Sequence, residues 1–589
     1  MKTVNLCPII ALTIGSFFSS IGCVRKSNLA SKLPTPPAKP RLIVLIVVDQ
    51  MRADLLDRFE PAFRKMTKNG KPEGLDKLRT EGFSFINART ASAPTVTAAG
   101  HATLCTGANA AKHGIVANSF FSRDSREIME SAADPKTKIV RTSGVLPNDP
   151  LSKLDSNGSS NHHLLSPSLA DSLHTWSAKT AKTLSISIKD RGAVFCGGTN
   201  STGVYWYDYQ SGSMITSSHF RDSLPDWLND FNKNNAPSFN YTWTPKISAN
   251  QMKDLLTDEN YKRALSVRSQ LSNKFGSGFP YSYSAAAIGA LGARKFFEYT
   301  PYASEHLVDL ALAGVEKERL GCASKEASTE CLAPQFPDLL TISFSTPDIV
   351  GHGFGPESAE LMDIYLNLNK SVERLREGLQ NRLGDSAVLF AQSADHGVQN
   401  MPEVSAAFGK NAGRLNGAAL KNKLNSALIS RFGGSEWIDH ISTNEIYLNQ
   451  ATLSASRKTL EEIWAEVRKS LSGLPGIKGL LTRAEIQAAK TEESQLFKRG
   501  HHPARSGDAV ILVQQGWLGE DSVAGNHGTS NDEDSRIPLV FSGWKVKRGI
   551  SNSTPVQADD LAPTILELIG APKSAHMTGV SRANLKMLD

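Results

Sequence analysis

Residues Arg41 to Asp49, reading RLIVLIVVD, form a continuous apolar, largely β-branched run that closes on a carboxylate. A strand buried on both faces reads this way, and its C-terminal end carries Asp49 to the rim of a sheet. The same grammar recurs in DLLTISFSTPD, ending in Asp348, and in SAVLFAQSADH, ending in Asp395 and His396. Helical stretches such as Glu357 to Arg382 lie between them. The predicted fold class is therefore α/β, with a central, mostly parallel sheet flanked by helices. Ligands in such folds gather beyond the C-terminal ends of the strands. Three strands delivering acids to one rim say more than any single acid.

The alternation weakens from about 118 to 300, where polar loops and an aromatic-rich patch (VYWYDYQ, DWLNDFN, YTWTP) dominate. This interval is expected to be largely an insertion that caps the site. A polar, helical interval from about Ala451 to Arg499 reads as a second, smaller excursion. The tail ADDLAPTILELIGAP returns to an amphipathic helix, with Asp559 and Asp560 near its start and Gly570 near its end.

Bulk properties narrow the class only modestly. At 589 residues and 40% hydrophobic content the length permits three or four domains, but no fixed-period repeat or internal low-complexity linker divides the chain. One main domain over 41–575 with insertions is expected. The formal charge of +7 is spread thinly, with no basic block that would signal nucleic-acid binding.

The N-terminus carries an address. Lys2 precedes an apolar stretch from Leu6 to Phe18 and small residues up to Gly22, which reads as an export signal over 1–22. That stretch is too short for a comfortable span, so the mature protein is expected not to cross a membrane. Ser20-Ile21-Gly22-Cys23 resembles a lipoprotein cleavage site, with Ser where Leu is usual, making Cys23 a candidate lipid anchor. Residues 23–40, rich in Ser, Lys and Pro, read as a flexible tether. The expected location is thus periplasmic, membrane-tethered or secreted. Of the remaining cysteines, Cys322 and Cys331 flank a short polar loop and suit a disulfide, whereas Cys105 and Cys196 lie in apolar stretches and read as buried thiols.

Candidate metal ligands are Asp49, Asp348, His352, Asp395, His396 and His527. Asp348 and His352 are four apart in TPDIVGHG, on one face if a helical turn follows the strand. His527 lies in a glycine-flanked loop before another apolar run. Each alone has a bland reading as a cap or a turn residue; six in four strand-terminal contexts favour a metal centre. Lys189 and Arg191 follow the apolar strand LSISI, and alternation would put both on one face.

The order and wording of these motifs resemble the alkaline phosphatase superfamily, most closely its phosphate-irrepressible branch, which is related to nucleotide pyrophosphatase/phosphodiesterases. VVDQMRADLL, APTVTAAGHATLCTGANAAKHGIVAN, SISIKDRGAV, STPDIVGHGFGP, SADHGV and GNHGTSNDEDSRIPLVF carry the resemblance, which runs from about Arg41 to Ala571. It implies an alkaline-phosphatase-like fold and two Zn2+ per chain. Asp348, His352 and His527 would hold one ion, and Asp49, Asp395 and His396 the other, with Thr97 reaching the second. Thr97 stands in the T-x-x-G-H position ahead of Gly100 and His101, where the resemblance implies the nucleophile; Thr95 is its neighbour and rival. Asn118, Lys189 and Arg191 would contact phosphoryl oxygens, as in the monoesterase branch. His101 and His113 are expected to shape the loop rather than bind metal. The implied substrates are small phosphate esters.

Three rivals are weighed against this. Sulfatases of this fold need a C-x-P-x-R type sequence, which Cys105-Thr106-Gly107 does not match. A diesterase shares the metals and the threonine. A surface-binding protein on a dead scaffold would use the aromatic patch, but an intact ligand set argues against it.

Overall fold

In the computed structural model the described residues are 37–142, 157–270, 278–324, 326, 330–519 and 523–589. The export signal, Cys23 and nearly all of the tether lie outside them. Among the described residues no helix is long and apolar enough to cross a membrane.

An 11-stranded sheet organises the chain. In chain order its strands are β1 (Leu42–Val48), β2 (Phe83–Phe85), β3 (Ala133–Val140), β4 (Asn157–Ser159), β5 (Thr183–Ser187), β6 (Gly203–Asp208), β7 (Ser213–Ser217), β8 (Asp338–Phe344), β9 (Val388–Ser393), β10 (Leu539–Gly543) and β11 (Ile550–Asn552). Across the sheet they run β11-β2-β10-β9-β1-β8-β5-β6-β7-β3-β4. The middle five, from β9 to β6, are parallel, and antiparallel pairs flank them on both sides. All seven residues of β1 are buried, as its unbroken apolar run requires. Each such Leu, Ile or Val contributes about 1.5–3 kcal/mol of burial, offset by the entropy of ordering.

Register aligns the strand ends. Leu42 lies opposite both Asp338 and Val388, so β1, β8 and β9 finish side by side. Asp49, the Ser345–Asp348 turn and Asp395 therefore emerge at the same rim.

Three expectations need correction. The interval 118–300, expected to be largely insertion, supplies β3 to β7 of the main sheet. Its strands read weakly because they carry Ser, Thr and Tyr, or in β3 Asp and Lys, in place of aliphatic runs. The aromatic patch belongs to the packed interior: Trp206 and Trp243 are buried, and Trp243 donates its indole N–H to Asp363 at 2.8 Å. That removes the main support for a carbohydrate-binding surface.

Cys105 and Cys196 are bonded to each other, not separate buried thiols. Their partnership spans 91 residues of sequence and depends on two helices meeting in the fold. Cys322 and Cys331 also form a disulfide. The second excursion is larger than 451–499. It is a four-stranded antiparallel sheet (Ile438–Ser442, Glu445–Leu448, Ile477–Thr482 and Ala509–Val513) covered by the helices Gly417–Phe432 and Leu460–Leu471. Trp437, Trp464, Leu428 and Ile463 fill its own small core.

Candidate active site

Three helices complete the rim: α1 (Thr97–Thr106), α2 (Asp190–Gly197) and α3 (Thr346–Phe354). Pro347 in the first turn of α3 starts that helix straight after β8. Asp348 and His352 consequently share a face, with His352 Nε2 3.2 Å from Asp348 Oδ1. His527 Nε2 is 3.4 Å from the same oxygen and 3.2 Å from His352 Nε2. The three make one trio. Asp49, Asp395 and His396 make the other, with His396 Nε2 3.5 Å from Asp49 Oδ1 and 3.4 Å from Asp395 Oδ2. The imidazoles of His396 and His527 stack at 3.7 Å between ring centres, so the trios abut.

The chemistry of the donor set fits metal ions. Each imidazole directs Nδ1 at a backbone carbonyl: His352 at Gly525 (2.8 Å), His396 at Gly397 (2.9 Å) and His527 at Thr95 (2.7 Å). These contacts assign the proton to Nδ1 and turn the Nε2 lone pairs toward the carboxylates. Two such lone pairs facing each other beside Asp348 are an arrangement that a cation reconciles. Charge points the same way. Asp49 and Asp348 are buried against one ammonium, Lys189, and Asp395 is buried beside His101, so three carboxylates share a single lysine cation.

Burial, with Asp348 and Asp395 close by, pushes the Asp49 carboxyl up. Burial would raise Asp348 as well, but His352, when it carries a second proton, and Lys189 override it and hold it well below the ordinary carboxylate range. Burial and the neighbouring His527 hold His396 well below the usual imidazole range, hence neutral as a metal ligand must be.

Thr97 opens α1 between the trios, its Oγ 3.5 Å from Asp49 Oδ1 and 3.4 Å from His396 Nε2. The T-x-x-G-H spacing has a physical reason. One turn after Thr97, a side chain at Gly100 would place its Cβ 2.3 Å from the Asp395 carbonyl, so only glycine lets α1 lie against that segment. His101 then reaches Asp395 Oδ2 (3.1 Å), the Thr97 carbonyl (2.9 Å) and Ser343 Oγ (2.7 Å). Thr95 is otherwise engaged: its Oγ donates to the Thr529 carbonyl at 2.8 Å and its own carbonyl holds His527.

Lys189 and Arg191 are not on one face of an extended strand. β5 stops at Ser187, Lys189 caps α2, and Arg191 lies in its first turn. The chain turns there because Gly192 packs on the sheet, where a Cβ would come 2.5 Å from Ser187 Oγ. The Lys189 ammonium bonds to Asp49 Oδ2 at 2.7 Å and to Asp348, and stands 3.5 Å from Thr97 Oγ. Arg191 Nε is buried without a hydrogen-bond partner. Asn118 accepts from the Ala98 N–H at 2.8 Å through Oδ1, which leaves Nδ2 as its donating end at the start of α1. A cavity of about 590 Å3 adjoins these groups, lined by Lys189, Arg191, Asp348 and His352 on one side and by Trp206, Tyr209 and Tyr299 on another.

Two contributors escape sequence reasoning. Gln50, in a left-handed conformation (φ 66°), donates its backbone N–H to Asp395 Oδ1 at 3.1 Å and its Nε2 to Asp348 Oδ1 at 2.8 Å, linking the trios. Its one signal is its place directly after Asp49. His101 is the other: it supports Asp395 from behind, a firmer role than the loop-shaping expected of it. His113, in contrast, stays away from the acids and bonds Thr103 Oγ at 3.0 Å.

This fold, with acids and imidazoles converging on one rim, defines a hydrolase of phosphoric esters within the alkaline phosphatase superfamily. The chain belongs to the family described as Type I phosphodiesterase / nucleotide pyrophosphatase, whose profile matches residues 43–531. It is 30% identical over 585 residues to alkaline phosphatase PhoV of Synechococcus elongatus, covering 97% of each chain. It is 29% identical over 541 residues to alkaline phosphatase PafA of Elizabethkingia meningoseptica, covering 90% of this chain and 92% of the relative. A crystal structure of a PafA variant superposes with a TM-score of 0.80 at 25% identity, over 94% of this chain and 99% of that one.

Proposed function

We propose that this protein is a zinc-dependent phosphate monoesterase of the alkaline phosphatase type, acting through a phosphothreonine at Thr97. The observation that carries the reading is the meeting of Thr97 Oγ and the Lys189 ammonium beside two metal-ligand trios, with Arg191 lining the same cavity as Lys189. Asp348, His352 and His527 would hold one zinc, and Asp49, Asp395 and His396 the other, a mixed imidazole and carboxylate set suited to that ion. Bound there, the ions would supply Lewis-acid polarisation and lower the pKa of an attacking hydroxyl.

The chain's own residues do the rest. Thr97 Oγ attacks phosphorus, the ester oxygen leaves, and water then releases phosphate from the phosphothreonine, regenerating the hydroxyl. With Asp49 and Asp348 committed to cations, Lys189 donates to a phosphoryl oxygen instead, alongside Arg191 and Asn118 Nδ2. The α1 N-terminus adds the positive end of its helix dipole. A monoester offers these donors the oxygens that a diester partly blocks.

The PafA variant of known structure carries changes at a threonine, an asparagine, a lysine and an arginine, in the order of Thr97, Asn118, Lys189 and Arg191 and with the same steps within the first pair and the last. That parallel supports the assignment. The description of the matching family favours a diesterase as the second reading. Turnover of nitrophenyl phosphate and of a bis-nitrophenyl diester decides between them. The monoester should be hydrolysed much faster, with activity abolished by chelation and restored by zinc; faster diester turnover would overturn the monoesterase reading.

A further inference from the structure

The starts of α1 and α2 carry three of the groups assigned to phosphate chemistry: Thr97 opens α1, Lys189 caps α2 and Arg191 follows in its first turn. The far ends of the same two helices are joined covalently by Cys105 and Cys196, Cα atoms 5.1 Å apart and both side chains buried. Between the ends, the helices meet through small residues. Ala98 and Ala102 of α1 and Ala193 and Val194 of α2 share one apolar cluster. Such surfaces let backbones approach closely, but their ridges are shallow and interlock weakly against sliding. Hydroxyl contacts also tie each helix to the sheet, α1 by His101 to Ser343 Oγ, and α2 by Ser185 Oγ to the Ala193 carbonyl and by Ser159 Oγ to Asp190 Oδ2 at 2.7 Å. These contacts lie in the first and middle turns, and the bridge is the covalent tie at the far ends of both helices.

We infer that the Cys105–Cys196 bridge is a positioning element of the phosphate site, fixing the register of α1 against α2 and so the placement of Lys189 and Arg191 relative to Thr97. The inference rests on the monoesterase reading above. A misplacement of about 1 Å at a reacting centre costs up to about a hundredfold in rate, so a modest slip between these helices is enough to matter. The Cys322–Cys331 bridge closes a loop with a sequence separation of 9 and joins neither helix, which makes it the internal control.

The test compares the zinc-loaded double variant Cys105→Val/Cys196→Ala with the control Cys322→Ala/Cys331→Ala. The bridge variant should lose about tenfold or more in monoester kcat/KM, chiefly through KM, and inorganic phosphate should inhibit it more weakly by the same factor. Its diester rate should stay within about twofold, because a diester draws less on Lys189 and Arg191. The control should match wild type on both substrates. A monoester-to-diester ratio unchanged from wild type, whether both rates hold or both fall together, overturns the inference, since loss of stability alone lowers both.

Should the bridge variant fail to fold, the same ratio is followed in wild-type holoenzyme during reduction by tris(2-carboxyethyl)phosphine, with thiol labelling mapped by mass spectrometry. The ratio should fall in step with labelling of Cys105 and Cys196; a constant ratio at full labelling refutes the proposal. The inference and the reading beneath it fail separately. If Lys189→Ala/Arg191→Ala lowers the ratio and breaking the bridge does not, only the inference is lost. If neither changes it, the monoesterase reading falls too.

Discussion

Removing the cations beside Thr97 is the perturbation whose size the structure lets one work out. At an effective dielectric of about 20, two unit charges about 4 Å apart interact by about 4 kcal/mol. Lys189, with a side chain 10% exposed and Nζ 3.5 Å from Thr97 Oγ, falls in that regime toward a phosphoryl group on Thr97. Arg191 is 30% exposed and sits at the weaker end. Losing one transition-state donor in a buried site costs on the order of a hundredfold or more in kcat. Lys189→Ala/Arg191→Ala should therefore lower monoester kcat/KM by about a hundredfold or more, with a far smaller effect on a diester. One complication is foreseeable: Lys189 also neutralises Asp49 and Asp348, so metal content must be measured alongside. Arg191→Ala alone is the cleaner variant, since among the described residues its ion pair is with Asp190, at 3.9 Å, and not with a metal-ligand carboxylate. Steady-state kinetics on nitrophenyl phosphate and its diester, at matched zinc occupancy, is the assay. Equal losses on both substrates would show that the pair does not read monoesters.

Other parts of the account are open to simpler tests. Asp348→Ala and His527→Ala should each remove activity together with bound zinc, read by elemental analysis; full activity with no metal would contradict the centre. His113 is buried and burial pushes it down to about 3, so between the ordinary imidazole value of about 6.5 and that value the unfolded chain binds the extra proton and stability is lost as pH falls. Replacing it by Gln should flatten the dependence of the urea midpoint between about pH 6 and pH 4, and an unchanged slope would refute this. We also propose that the leader is removed on export and that Cys23 carries lipid: Cys23→Ser should release the protein from membranes in a fractionation assay, and unchanged association would count against the anchor.

The parts of the fold legible in the sequence were those where one local signal suffices. β1 is an unbroken apolar run, β8 and β9 are largely apolar, and each is soon followed by an acid, so both the parallel core and the rim bearing Asp49, Asp348 and Asp395 could be read directly. Asp348 and His352 were legible because Pro347 starts a helix at once. What escaped depends on contacts between distant segments. Cys105 and Cys196 look like buried thiols until α1 and α2 are packed together. β5 to β7 are short and rich in Ser, Thr and Tyr, and only their neighbours in the sheet reveal them as core. Lys189 does lie beside Asp49 and Thr97, but not on the extended strand that alternation implies, because Gly192 packs on the sheet and the chain enters a helix at Asp190.

The central claim is a covalent bond at one oxygen. Thr97 Oγ faces His396 and Asp49, whereas Thr95 Oγ is committed to the Thr529 carbonyl. Acid-quenching the zinc-loaded enzyme during turnover and mapping the phosphopeptide should place phosphate on Thr97. Thr97→Ala should abolish that label while both zinc ions stay largely bound, because six ligands remain, and Thr97→Ser should keep partial activity. Phosphate on Thr95, or no labelled peptide together with inversion at a chiral phosphorus, would contradict the mechanism.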